Sequence, residues 1–171
     1  RLPEYCFCIV EGRGRLLHDD PGLSRPVTLA YANPGDLVGW CGLVRRHPCE
    51  WLTAATPLKL IGIPAADFYA LEASSESFSN WLSTNNSPSE LIQAFGPALR
   101  ARPNAEPNER EVLRLMLPSL QVLSGSELRE LPTDGSIWLW NSQPDDLLVP
   151  IGEQVDSELL AKIPIGQPLR L

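Results

Sequence analysis

The sequence is short of histidine and of clustered positive charge. It has two histidines and one methionine among 171 residues, and 14 Lys and Arg stand against 21 Asp and Glu. A metal-dependent enzyme whose site needs two or three histidines with a carboxylate is therefore not expected. A nucleic-acid or anionic-membrane surface is not expected either, since both require clustered cations.

Long apolar runs and a targeting signal are also missing. No apolar run approaches the roughly 20 residues that span a bilayer, and no signal peptide opens the chain. The first residue is Arg1 rather than methionine. We therefore expect a fragment or excised domain of a larger protein, located in the cytoplasm, either free or as the cytoplasmic part of a membrane protein.

Cysteine is confined to the first part of the chain, at Cys6, Cys8, Cys41 and Cys49. Zinc ligation and disulfides are both open, but there is no C-x₂-C ligand pair. Reduced thiols that pack as small apolar groups are the interpretation we favour, as in a reducing cytoplasm.

Short strands are predicted for the first third of the chain. Seventeen prolines and twelve glycines indicate many turns. Apolar and β-branched runs predict strands at Tyr5–Val10, Arg13–Leu17, Val27–Tyr31, Trp51–Ala54 and Leu58–Ile63. Strands of this length, spaced by about ten residues, indicate a barrel or jelly roll.

Helices are predicted after Pro64. Helical spacing begins at Ala65, and its apolar face runs on to Leu82. Ser87 is the predicted N-cap of a second helix that ends near Arg102. A linker at 103–107 then leads to a third helix at 109–117, to strands at 120–123, 128–131 and 137–140, and to a helical turn at 157–162. The fold class is thus mainly β with helices (α+β), with domains at 1–102 and 108–171.

One stretch, Ala32–Thr56, has the pattern of an anion cradle. It opens on an Asn-Pro-Gly-Asp turn, continues through Gly39 and Gly42, and ends in the strand that carries Trp51. Glycine-rich turns allow backbone amides to converge on an anion, because glycine reaches positive φ without a Cβ clash. The pattern predicts the shape of a phosphate site.

Three segments in order resemble the cyclic-nucleotide-binding domain family, the β-roll of catabolite activators and kinase regulatory subunits. They are CFCIVEGRGRLL at 6–17, VTLAYANPGDLVG at 27–39 and WLTAATPLKLIGIPAADFYAL at 51–71. The resemblance implies a jelly roll of that type with exit helices. The family's opening helix and two strands are absent before Tyr5. Leu117–Trp140 loosely resembles them, so the C-terminal segment either starts a second roll or completes the first.

The ligand residues of that family match poorly here. The position of its ribose-binding Glu holds Trp40, and its Arg-Ser/Thr-Ala positions hold Pro48, Cys49 and Glu50. An arginine fork gives phosphate recognition its strength and direction. We therefore expect that cyclic nucleotide binding has been lost and that Trp40 fills the hollow as part of the core.

Arg45 and Arg46 lie next to these positions and could substitute for the missing phosphate-binding arginine if the loop bends inward. The alternative is that both are solvated arginines of the loop. The candidate residues of this degenerate pocket are Gly35, Asp36, Gly39, Trp40, Gly42, Arg45, Arg46, Cys49 and Trp51. We predict no catalytic residues, no metal and no cofactor.

The predicted function is a non-catalytic regulatory or protein-interaction domain. The alternative is a small-ligand or cyclic-nucleotide sensor with an altered pocket. No cationic recognition helix follows the roll, which argues against a transcription factor. Similar degenerate rolls occur as regulatory segments ahead of the membrane parts of peptidase-containing ABC exporters in cyanobacteria. This chain resembles those segments in architecture only. Expected partners are other domains of the parent protein or a second copy, through the helix with Leu91, Ile92, Phe95 and Leu99.

Overall fold

A computed structural model describes residues 3–19, 24–100, 111, 137–139 and 153–162. The predicted linker at 103–107 and the predicted strands at 120–123 and 128–131 lie outside these residues. So does the third helix apart from Glu111, which is helical.

Two three-stranded antiparallel sheets form the N-terminal part. In the first, β1 (Tyr5–Glu11) lies between β4 (Leu37–Val38) and β6 (Lys59–Pro64). In the second, β2 (Gly14–His18) lies between β3 (Val27–Ala32) and β5 (Trp51–Ala54). The five strands predicted from apolar runs are confirmed, with ends shifted by one residue at most.

The chain passes from one sheet to the other at Gly12. Its φ is 86°, and a Cβ there would lie 2.0 Å from the carbonyl oxygen of Pro57. Glycine is required because any side chain would strike the neighbouring backbone. The Arg13 amide then donates to Thr56 Oγ1 at 2.8 Å, which holds the crossing to the end of β5.

Four helices accompany the sheets: α1 (Trp40–Val44), α2 (Ala65–Ser74), α3 (Glu76–Thr84) and α4 (Pro88–Arg100). The apolar face that we predicted as one run through Leu82 is divided between α2 and α3. Ser75 is extended at φ −123° and its Oγ accepts from the Phe78 amide, so it is the N-cap of α3. A local cap therefore interrupts the helical pattern.

Two core clusters lie among the described residues. One cluster lies between β1 and the helices and contains Cys6, Trp40, Cys41, Leu43, Phe68 and Leu82. The other lies between the strands and contains Ile9, Ala32 and Val38. Helix α4 packs against β2 and β3.

Residues near the C-terminus form a small hairpin and a helix. β7 (Ile137–Leu139) pairs antiparallel with β8 (Glu153–Val155), and α5 spans Ser157–Lys162. The strand β7 and the helix α5 were predicted, whereas β8 was not. Antiparallel sheets with helices confirm the α+β class.

Candidate functional site

The turn that opens the cradle is held by hydrogen bonds within the turn and to β1. The Asp36 amide donates to the Asn33 carbonyl at 3.0 Å, and Asp36 Oδ2 accepts from the Asn33 amide at 2.7 Å. Gly35 has φ 94° and donates its amide to the Ile9 carbonyl at 2.8 Å. Gly35 and Asp36 are exposed, and their hydrogen bonds shape the turn and attach it to β1.

After the turn the chain forms the short helix α1, which the sequence did not predict. Gly39 precedes it at φ 82°, and a Cβ there would lie 3.4 Å from the Tyr5 carbonyl oxygen. Gly42 lies inside this helix and is buried. A helix of five residues that contains glycine has little intrinsic stability, so burial of its side chains must stabilise it.

Trp40 lies in the core rather than at an open pocket. It is 4 % exposed, and its ring centroid is 5.0 Å from that of Trp81 on α3 at an interplanar angle of 57°. Burial of Trp40 agrees with the expectation that this side chain fills space inside the domain.

The carboxylate of Glu50 lies against the amide that the cradle presents. Its Oε2 accepts a hydrogen bond from the Gly39 amide, and its Oε1 accepts one from Ser87 Oγ at 2.7 Å. Burial raises the pKa of this carboxyl, while the bonds from Ser87 and Gly39 oppose that rise. The anion at the Gly39 amide is therefore a side chain of this protein.

The two candidate arginines have separate environments. Arg45 is fully buried and donates from Nη1 to Gln93 Oε1 at 2.9 Å, while Gln93 Nε2 donates to the Pro48 carbonyl at 3.4 Å. Arg46 is exposed at φ 52°. The expectation of two solvated loop arginines is wrong for Arg45, because α4 covers it.

The start of α4 supplies the partners of this cluster. The Ser87 amide donates to Glu90 Oε2 at 2.8 Å, which is one half of a capping box. The apolar side of the helix packs inside this chain, with Leu91, Ile92 and Phe95 buried. The sequence predicted the helix start at Ser87, but not that Glu50 and Gln93 would take part in the site.

Two cysteines meet beside Glu50. The sulfurs of Cys41 and Cys49 lie 2.6 Å apart, and both residues are free thiols. Cys41 is fully buried, whereas Cys49 is half-buried and directly precedes Glu50. Burial raises the pKa of the Cys41 thiol well above its ordinary value, and the Cys49 thiol and Glu50 charge add to the rise.

The last candidate residue, Trp51, is 50 % exposed on β5. The structure thus brings Gly39, Glu50 and Ser87 together beside Cys49, connects Arg45 to α4 through Gln93, and leaves Trp51 and Arg46 at the surface. Within the described parts of the chain, no group of three His, Cys, Asp or Glu side chains could hold a metal ion. In those same parts, none of the helices has the length and apolar character needed to cross a membrane.

Comparison with known proteins gives structural neighbours only. No family model matches the chain, and no curated protein matches it. The catabolite activator protein of Thermus thermophilus is similar with a TM-score of 0.42 and 21 % identity, over 70 % of this chain and 47 % of that one. The c-di-GMP-responsive regulator CLP of Xanthomonas campestris is similar with a TM-score of 0.39 and 18 % identity, over 68 % of this chain and 49 % of that one.

A cyclic nucleotide-binding domain from Methylobacillus flagellatus gives a TM-score of 0.40 and 18 % identity, over 75 % of this chain and 60 % of that one. The chain spans about half the length of the first two structures.

Proposed function

We propose that this chain is a non-catalytic regulatory or protein-interaction domain on a cyclic-nucleotide-binding-like fold that no longer binds a cyclic nucleotide. One observation carries the proposal: the Glu50 carboxylate accepts the Gly39 amide and the Ser87 hydroxyl. The Glu50 carboxylate thus occupies the Gly39 amide, which an anionic ligand would need as a hydrogen-bond donor.

Charge and hydrogen bonding both oppose an incoming phosphate. A phosphate at Gly39 would have to displace Glu50 or lie beside a second negative charge. Each hydrogen bond to a charged group contributes about 1.5–3 kcal/mol, so displacement would remove two favourable contacts. The Arg45 guanidinium, which could offset this cost, already donates to Gln93 of α4.

The alternative of a sensor with an altered pocket is less well supported. That alternative uses Trp40 and Arg45 together with Arg46 and Trp51. In the structure the first two are buried and the last two are exposed. This difference in burial argues against an open ligand cleft lined by all four side chains.

The domain would then act through its surface, on other domains of its parent protein or on a second copy. A cytoplasmic setting and a place in an ABC exporter remain predictions from the sequence. Burial of Leu91, Ile92 and Phe95 inside this chain argues against the predicted dimer seam, whose fourth member, Leu99, has a side chain outside the described residues.

The direct test is thermal unfolding of the reduced chain with cyclic AMP or cyclic GMP at about 1 mM. A ligand that binds the folded state raises the melting temperature by mass action, so we expect no shift here. A catabolite activator protein in the same assay is the positive control. A rise of several degrees for this chain would overturn the proposal and favour the sensor.

A further inference from the structure

The pair formed by Cys41 and Cys49 is not needed for the proposed function. Cys41 lies in α1 and is fully buried, whereas Cys49 lies just before β5 and is half-buried. Their sulfurs are 2.6 Å apart, and a disulfide bond is about 2.05 Å long. A shift of less than about 1 Å would bring the two sulfurs to bonding distance.

We propose that Cys41 and Cys49 form a redox-active dithiol, which a small-molecule or protein disulfide converts to an intramolecular disulfide. Nothing in this inference depends on whether a cyclic nucleotide binds.

The exchange proceeds in two steps. The Cys49 thiolate, on the accessible side, attacks one sulfur of the external disulfide, forms a mixed disulfide and releases the first thiolate. The Cys41 thiolate then attacks Cys49 Sγ and releases the second. The two protein thiols lose two electrons and two protons, and the external disulfide is reduced to two thiols.

The neighbouring carboxylate provides a place for the Cys41 proton. Glu50 directly follows Cys49, whose sulfur contacts that of Cys41, so its carboxylate is the neighbouring group that would accept the proton as the buried sulfur attacks. Thiol–disulfide exchange needs the thiolate, and burial holds Cys41 in its protonated form. Glu50 therefore assists the second step rather than the first.

The other two cysteines lack this geometry. Cys6 and Cys8 are two residues apart on β1, so their Cβ atoms are separated by about 6.6 Å along the strand. A disulfide requires a Cβ separation of about 3.5–4.5 Å. Cys8 is half-buried like Cys49 and therefore serves as the matched control.

A bond between Cys41 and Cys49 would also affect α4. Glu50 follows Cys49 directly, and its carboxylate accepts from Ser87 at the start of that helix. A cross-link that immobilises Cys49 also restricts Glu50, so we expect oxidation to strengthen the attachment of α4 to α1 and to raise the melting temperature.

The test treats the folded chain with oxidised glutathione without oxygen, followed by alkylation in acid and intact mass measurement. We expect the free thiols to fall from four to two, so that the oxidised chain carries two alkyl groups rather than four. The protein itself becomes about 2 Da lighter, because disulfide formation removes two hydrogens. Trypsin cleaves after Arg45 and Arg46, so the peptides that contain Cys41 and Cys49 should stay linked until reduction.

Variants separate the roles of the two sulfurs. Cys41→Ser should accumulate one glutathione on Cys49, Cys49→Ser should form no intramolecular disulfide, and Cys8→Ser should behave as wild type. Four free thiols in folded wild type after this treatment would overturn the proposal, and so would a link through Cys6 or Cys8. Oxidation that occurs only in urea would overturn it as well.

Discussion

The turn Asn33–Asp36 and the segment Gly39–Glu50 belong to one stretch of sequence but are held in different ways. The turn is exposed, and its bonds run within the turn or to the backbone of β1. The segment is largely buried, and side chains of α4 hold it, through Ser87 with Glu50 and through Gln93 with Arg45.

This difference shows why the cradle can keep the backbone shape of an anion site without the side chains that would bind a ligand. Hydrogen bonds between neighbouring residues preserve the turn whether or not a ligand binds. The anion position is taken by Glu50 of the same segment, and Ser87, at the start of a helix about 40 residues later, holds that carboxylate in place. Three experiments test this contrast, and the first two each include a matched change at the surface.

Replacing Trp40 by alanine should have the largest effect. Its side chain is buried in the cluster that contains Phe68 and contacts the ring of Trp81, so Trp40→Ala should lower the free energy of unfolding by about 3–5 kcal/mol. Trp51→Ala, at a half-exposed position, should cost under about 1 kcal/mol. Urea unfolding followed by circular dichroism measures both. Equal losses would contradict the assignment of Trp40 to the core.

The second largest expected effect is a difference in stability loss between substitutions of Arg45 and Arg46. Arg45→Met retains the aliphatic part of the side chain but removes the guanidinium that donates to the Gln93 amide oxygen, and should lower the free energy of unfolding by about 1–3 kcal/mol. Arg46→Met, at an exposed position, should stay within about 0.5 kcal/mol.

A double-mutant cycle of Arg45→Met with Gln93→Leu isolates the contact. We expect a coupling above about 0.5 kcal/mol, since the two side chains touch. Additive losses would show that α4 does not hold Arg45 in solution.

The pH dependence of Glu50 is the smallest expected effect. Its raised pKa means that the folded chain binds the proton more tightly than the unfolded chain, whose carboxyl titrates near 4.3. Proton binding by Glu50 therefore adds most to the free energy of unfolding at low pH. This contribution is lost as pH rises through the raised pKa, by no more than about 1.4 kcal/mol per pH unit.

Glu50→Gln removes this titration, while Glu90, Cys41 and Cys6 remain near the site in both proteins. The unfolding free energy of wild type minus that of Glu50→Gln should then fall as pH rises from about 4 to neutrality. A difference that is constant, or that rises with pH, would contradict the raised pKa.

Sequence patterns predicted much of the fold and part of the site. Apolar runs located five strands of the two sheets, and Pro64 and Ser87 marked two helix starts. Helix α1 escaped prediction because five residues that include Gly42 carry no helical period. The break at Ser75 escaped because apolar spacing continues across it while the backbone is extended.

Within the site, positive φ at Gly35 and Gly39 and the interior place of Trp40 agreed with expectation. The inward position of Arg45 did not follow from its neighbours, since Arg45 and Arg46 are adjacent and equally charged. Only the approach of Gln93 distinguishes them.

By itself, the sequence determined the strands, the turns and the glycines that a tight backbone requires, because these depend on residues close together in the chain. The tertiary structure alone decided what lies in the cradle. It brought Glu50 to the Gly39 amide, Gln93 to Arg45 and Cys49 to Cys41. Such contacts follow from how helices pack on sheets, so no local pattern contains them.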